Sequence, residues 1–210
     1  MSWFSSSVRV GTLGMATAGF LLTGCGAINN AVNARIQPAV NFLGLDNGTV
    51  DVVSGGTSGS GTREVAFEDR SLPEAGRLRF VRLNQSLQST ITVTIPGGTA
   101  LPPQFSLSNL TLTLAVRDEA PRRVSVDVVK AGTITFLRVG ETNEYRTTSS
   151  LVFTGLEIRN SFGTLRDIYM TAPTPNYSSI NLALETNTGA LPPGSILRFT
   201  LRDGSAQFGI

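Results

Sequence analysis

Alternation of apolar and polar residues is the feature that most constrains the fold of this chain. From about Arg63 onward, short segments carry an apolar residue, often β-branched or aromatic, at every second position, and turn residues separate them. Successive strand residues point to opposite faces of a sheet, so this period of two is typical of antiparallel strands with one buried face. The clearest segments are 77–83, 90–95, 110–114, 124–128, 134–139, 150–158, 180–184 and 196–201.

About eight to ten such strands in some 150 residues predict an all-β domain, an antiparallel β-sandwich of immunoglobulin-like or jelly-roll-like type. The pattern predicts no helix after Gly61. Ala100-Leu101-Pro102-Pro103 is echoed by Ala190-Leu191-Pro192-Pro193. Proline cannot donate to a strand ladder, so both tetrapeptides are predicted to be loops or the starts of strands. The echo has two interpretations, a trace of duplication or a common way of linking strands.

The N-terminal residues have a different pattern. An apolar run extends from Val10 to Leu22, and Arg9 is the only charge before it. A hydrocarbon core of about 30 Å requires about 20 apolar residues, so this run is too short for a membrane helix. A positive start, a short apolar run and small residues at its end are typical of a secretory signal.

The run ends in Leu22-Thr23-Gly24-Cys25, which resembles the lipobox of bacterial lipoproteins. The resemblance implies that Cys25 carries a thioether-linked diacylglycerol, that the signal peptide is cut between Gly24 and Cys25, and that the new N-terminus carries an N-acyl lipid. Gly26 stands where an Asp tends to retain lipoproteins at the inner membrane, which favours the outer membrane. Cys25 is also the only cysteine, so the chain has no disulfide framework.

Residues 25–62 are predicted to be a lipidated tether. Apolar residues recur every three or four positions from Ala27, which predicts a short amphipathic helix over 27–37 before Pro38. This helix either contacts a membrane or partner, or is a simple tether; the scarcity of Lys and Arg favours the tether. Asp46-Asn47-Gly48-Thr49 is typical of a turn, and its oxygens resemble some calcium loops without the spacing of an EF-hand.

The segment Ser54–Gly61 reads Ser-Gly-Gly-Thr-Ser-Gly-Ser-Gly and has the composition of a flexible linker. The predicted organisation is therefore a signal peptide over 1–24, a tether over 25–62 and a β-sandwich over 63–210. The sequence does not specify an oligomeric state.

Several catalytic chemistries are excluded by composition. The chain has no histidine, and its one cysteine is assigned to lipidation. Ser-His, Cys-His and Cys/His zinc sites are therefore excluded. The net charge is only +2, and no basic cluster is interleaved with aromatics, so no nucleic-acid partner is expected.

The remaining candidates for chemistry are charged residues at predicted strand ends. A carboxylate-dependent hydrolase needs two acids facing each other across a cleft. Lys130, before Ala131-Gly132, lacks a Ser-x-x-Lys motif, and Arg122-Arg123 would point to opposite faces of a strand. Acidic residues are grouped as Glu64 with Glu68 and Asp69, Asp118 with Glu119, and Glu141 with Glu144.

The sequence therefore predicts a non-enzymatic, lipid-anchored protein of the bacterial cell envelope. Its expected role is that of a structural or accessory subunit whose β domain binds another envelope protein, with no cofactor beyond the lipid on Cys25. The alternative is a carrier of an apolar small molecule or lipid between its sheets. A carboxylate-dependent hydrolase is the third hypothesis.

Overall fold

The computed structural model describes residues 45–67, 79–118, 123–171, 176–186 and 191–209. The signal peptide, the lipobox with Gly24 and Cys25, and the expected helix over 27–37 lie outside the described residues. Lipidation, cleavage and tethering therefore stay predictions.

Ten strands and one α-helix make up the described secondary structure. They are β1 (Thr49–Ser54), β2 (Ser58–Phe67), β3 (Phe80–Leu87), β4 (Thr90–Thr94), β5 (Gln104–Arg117), β6 (Arg123–Arg138), β7 (Glu144–Arg146), β8 (Val152–Ile158), α1 (Phe162–Thr171), β9 (Asn176–Thr186) and β10 (Ile196–Gly209). A short 3-10 turn, Pro96–Gly98, connects β4 to β5.

Every strand pairing is antiparallel, and the pairings close on themselves. The hydrogen-bonded order is β1-β2-β9-β5-β6-β7-β4-β10, and β10 pairs back to β1. The second half of β10 leaves this ring and pairs with β3, which pairs with β8. The structure confirms the predicted all-β antiparallel sandwich.

Alternating burial explains why these segments are strands. In β1, Val50, Val52 and Ser54 are buried while the residues between them are exposed. Inward-facing residues meet in one core, where the Phe105 and Phe136 rings stack at 5.1 Å and Tyr145 packs edge-on at 5.0 Å from Phe105.

The two Pro-Pro segments behave as predicted where they are described. Residues 101–103 and 191–195 form no strand and lead into β5 and β10. The buried Tyr145 hydroxyl donates to the Pro102 carbonyl at 2.6 Å, and the Ser195 hydroxyl donates to the Pro192 carbonyl at 2.7 Å. In each loop, a proline carbonyl thus accepts a hydrogen bond from a buried side chain.

The turn predicted at Asp46-Asn47 is also present. Gly48 N–H donates to the Leu45 carbonyl at 3.2 Å, and Asn47 has a left-handed φ of 59°. The Asp46 carboxylate accepts the Gly204 N–H at 3.0 Å. This carboxylate therefore ties the turn to β10 through a backbone hydrogen bond, as a turn-forming residue does.

The linker predicted at Ser54–Gly61 is wrong. Ser54 ends β1, and Ser58 begins β2, which pairs with β9 along its whole length. The glycines permit close approach of strands: a Cβ on Gly61 would clash with the Asp51 carbonyl, and one on Gly59 would lie 2.6 Å from the Val53 carbonyl oxygen. Pairing with neighbouring strands therefore fixes this segment as β structure despite its linker-like composition. The β domain begins before the predicted boundary at residue 63.

The expectation of no helix after Gly61 is also wrong. The helix α1 buries Phe162, Leu165 and Ile168, which recur every three residues on one face. A segment this short offers little periodic signal, and packing on the sheet supplies most of the stability of such a helix.

A further correction concerns Lys130, predicted at a strand end. It lies inside the continuous strand β6, opposite Leu110 of β5. Gly132 takes a φ of 105° in a β-bulge, so Ala131-Gly132 bends the strand without ending it.

Candidate functional site

The predicted acidic groups do not form a catalytic pair in the part of the chain that is described. Glu64 accepts two hydrogen bonds from the Arg117 guanidinium, at 2.5 and 2.9 Å, and these bonds lower the pKa of its carboxyl. Arg117 in turn lies over the Tyr177 ring at 4.1 Å. The companions of Glu64 in the predicted group, residues 68 and 69, lie outside the described residues. Glu64 thus serves as an ion-pair partner on the sheet surface.

The other predicted charged groups are equally dispersed. Asp118 follows β5 and is buried, and residue 119 is not among those described. Glu141 and Glu144 are exposed on either side of the turn into β7, and Arg138 pairs with Glu141 at 3.9 Å. Arg123 begins β6, where the register places it opposite Arg117. The described residues contain no group of three or more potential metal ligands among Asp, Glu, His and Cys.

A groove of about 450 Å³ lies open on the outer face of the sheet. We call it the bulge groove, and its lining comes from the β1–β2 hairpin, β5 and β9. The lining residues are Val53, Gly55, Ser58, Gly59, Ser60, Asn109, Thr111, Ala183, Leu184 and Glu185. Volumes of about 300–1,000 Å³ are typical of ligand sites, so the groove is large enough to bind a chemical group of a partner.

A pair of bulges in β5 and β6 shapes this groove. On β5 the register shifts between Leu107 and Asn109, so no residue of β9 lies directly opposite Ser108, whose hydroxyl donates to the Glu185 carbonyl at 3.3 Å. The shift changes which residues face inward: Phe105 and Leu107 are buried before it, and Leu110 is buried after it. Asn109 consequently lines the outer groove, as expected of a bulge that redirects a side chain.

Strand register aligns the polar side chains of the groove. Ser58 of β2 and Asn109 of β5 both lie opposite Glu185 of β9. The Asn109 side-chain amide donates to the Glu185 carboxylate at 2.6 Å. Glu185 is the only charged side chain in the lining.

The next two register rows continue this surface. Ser60 and Thr111 flank Ala183, and Thr62 and Thr113 flank Asn181. The Asn181 amide donates to the Thr62 hydroxyl at 2.7 Å. The result is a flat bed of hydroxyl and amide groups with small side chains.

The rim of the groove is held in place by hydrogen bonds. Gly56 N–H donates to the Ser54 hydroxyl at 3.1 Å, and its carbonyl accepts the Thr186 hydroxyl at 2.6 Å. Thr186 N–H donates to the Thr57 carbonyl at 2.8 Å. These bonds tie the hairpin to β9, so the groove is formed before any ligand arrives.

Sequence reasoning missed this site. Asn109, Thr111 and Thr113 alternate in the sequence, as do Asn181, Ala183 and Glu185. That pattern marks outward positions on each strand but does not reveal that β5 and β9 are neighbours. The shift in apolar spacing between Leu107 and Leu110 is the one available signal of the bulge.

The space between the sheets offers little support for the carrier hypothesis. The large side chains Phe136, Phe153 and Phe199, together with Tyr145, point into the core and are at most 1 % exposed. An apolar carrier needs small inward residues that leave a cavity. Among the described residues no helix is long and apolar enough to cross a membrane.

No family model matches this sequence, and a search of curated proteins finds no match. Among solved structures the chain is similar to TmCBM61, a carbohydrate-binding module solved in complex with β-1,4-galactotriose. The identity is 14%, the alignment covers 80% of this chain and 75% of that chain, and the TM-score is 0.26. A likeness at this TM-score carries no argument about this chain.

Proposed function

We propose that this chain is a non-catalytic, lipid-anchored protein of the bacterial cell envelope that binds another envelope protein through the bulge groove. The lipid on Cys25 holds it at the membrane, and Gly26 favours the outer membrane. The observation that carries the binding role is the preformed polar groove on a rigid sheet face.

The groove supports binding more than catalysis. Glu185 is its only ionisable side chain, so it supplies no second carboxylate for general acid–base work. Its hydroxyl and amide groups offer directional hydrogen bonds, and the sheet holds them in fixed positions. Preorganised polar groups of this kind reduce the entropic cost of association.

The native size of the protein tests the proposed role. The lipidated protein is extracted from membranes in mild detergent, separated on a native gel, and its co-migrating proteins are identified by mass spectrometry. Co-migration with a defined envelope protein that is lost on Ala183→Arg, which fills the groove, supports the proposal. Migration as a single lipidated chain contradicts it.

Substitution of the lipobox cysteine tests the anchor separately. Cys25→Ser removes the thiol that accepts diacylglycerol, so labelling with radioactive palmitate falls to background and the uncut precursor accumulates. Gly26→Asp is the matched control: it keeps labelling and cleavage and moves the protein toward the inner membrane. Undiminished palmitate labelling of Cys25→Ser would rule out this anchor.

A further inference from the structure

The charge of the bulge groove identifies the kind of group that it binds. Several other carboxylates on strands are neutralised by arginine, namely Asp51 by Arg198, Glu64 by Arg117, and Glu157 by Arg82 and Arg159. Glu144 of β7 is exposed and without an ion pair among the described residues, but it lies outside any groove of this kind. Glu185 forms no ion pair with any described residue; the neutral Asn109 amide is its side-chain partner. No lysine or arginine lines the groove. A cation is the complement of this arrangement, and an anion would be repelled.

The rest of the lining suits a cation on a flexible aliphatic stem. Hydroxyl groups of Ser58, Ser60 and Thr111 can each accept a hydrogen bond from an ammonium or guanidinium group. Val53, a residue that is 51 % exposed, and the Ala183 methyl group provide an apolar surface. Lysine and arginine bury their methylene stems on such surfaces while their charged ends reach polar groups.

The Asn109–Glu185 hydrogen bond fixes the direction of the carboxylate. The amide donates to Oε2 at 2.6 Å, which holds the side chain on the groove floor and leaves Oε1 available to an incoming donor. The bulge at Ser108 positions Asn109 for this bond. A carboxylate held in place loses little side-chain entropy when it accepts a charge-assisted hydrogen bond.

From these observations we infer that the bulge groove is the docking site for a lysine or arginine side chain presented by the protein partner. The inference rests on the proposed function, because the partner is the envelope protein proposed there. The groove is larger than one side chain, so it also accommodates the neighbouring backbone of the partner's loop.

Model peptides test the charge preference without knowledge of the partner. The full lipidated protein in mild detergent is mixed with acetyl-Gly-Gly-Lys-Gly-Gly-amide, with its arginine counterpart, or with norleucine or glutamate at the central position. Saturation-transfer NMR detects such weak contacts. We expect side-chain signals from the lysine and arginine peptides several-fold above those from the other two.

Two variants locate the binding in the groove. Glu185→Gln keeps the shape and removes the charge, so the lysine signal falls to the norleucine level. Glu144→Gln is the matched control, because Glu144 is exposed, forms no ion pair with a described residue, and lies on β7 outside the groove. Equal signals from the lysine and glutamate peptides, or an undiminished signal with Glu185→Gln, would overturn the inference.

The native gel separates this inference from the proposed function. Glu185→Lys places a like charge against the incoming cation and is expected to weaken co-migration by at least about 10-fold, whereas Glu144→Lys has no effect. A partner that co-migrates equally with Glu185→Lys overturns the inference and leaves the proposed function standing. Absence of any partner from the wild-type protein overturns both.

Discussion

Two outer surfaces of the sheet use polar residues in opposite ways. On the first, the bulge groove, small side chains surround a carboxylate whose partner is an amide. On the second, which we call the charged face, β1, β10, β4 and β7 present long side chains. There Asp51 accepts two hydrogen bonds from Arg198, both at 2.7 Å, and Arg146 donates to the Thr90 hydroxyl at 3.3 Å.

The difference separates polar groups that serve the fold from polar groups that serve a partner. On the charged face, hydrogen bonds from Arg198 lower the pKa of Asp51, and this carboxylate is neutralised within the chain. In the bulge groove the charge of Glu185 is unmatched by any described residue. Substitutions on the charged face should therefore change stability more than binding, and those in the groove the reverse.

The largest expected effect lies where the two surfaces join, at the β1–β2 pairing. Gly61→Val places a branched side chain against the Asp51 carbonyl and must push the strands apart. We expect the free energy of unfolding to fall by about 3 kcal/mol, the upper end of the usual cost of overpacking, because the contact is with backbone. Denaturant unfolding of the full chain measures this loss. Ala66→Val, at an exposed position on the same strand, is the control, and an equal loss in both variants would show that the close approach is unimportant.

Filling each surface compares their roles in binding. Ala183→Arg occupies the groove and introduces a cation beside Glu185, so co-migration with the partner should fall by at least about 10-fold. Thr92→Arg adds the same side chain to the charged face and should leave co-migration unchanged. The native gel measures both. Equal loss of co-migration in both variants would mean that both surfaces contact the partner. Unchanged co-migration in both variants would show that the groove does not bind the partner.

The smallest expected effect concerns the contribution of the Asp51 and Glu185 carboxylates to the stability of the fold. Because the folded-state pKa of Asp51 is lowered, its stabilisation is present above the unfolded pKa and is lost as the pH falls through the folded value. Asp51→Asn should lower the midpoint of thermal unfolding at pH 7 by no more than about 2 °C, since the ion pair is exposed. This difference should vanish when the pH lies below the folded pKa.

Glu185→Gln should leave the midpoint unchanged at pH 7, because its carboxylate has no ion pair to lose among the described residues. Thermal scans of both variants over a series of pH values measure the contrast. A larger loss for Glu185→Gln than for Asp51→Asn would show that the groove carboxylate serves the fold.

Local patterns predicted strands well where one face is buried. Ile91 and Val93 in β4, and Leu110 and Leu112 in β5, follow the period of two that the sheet requires. Errors arose where the local signal was weak or opposed by pairing. The glycine-rich start of β2 resembles a linker in its composition. Glycine has no side chain, which lets neighbouring strands approach closely but also makes an unpaired chain flexible, so the sequence alone does not separate the two cases.

Bulges were the other source of error. The register of β10 shifts between Arg202 and Ser205, where Asp203 has a φ of 49°. Such a site has the composition of a turn, and only its neighbours on β3 show that the strand continues. Gly132 was likewise interpreted as the end of a strand, because a glycine in a bulge has the composition of a turn.

The sequence by itself determined the antiparallel β class, the loops before β5 and β10, the absence of histidine chemistry and the resemblance of Leu22–Cys25 to a lipobox. Each of these features depends on residues that are close together in the sequence, so a local pattern is enough to predict it. Only the tertiary structure decided that Glu185 meets Asn109, that the strands close on themselves, and that a groove forms above the bulge. Those features depend on which distant strands pair, and a period of two specifies the face of each side chain without specifying its neighbour.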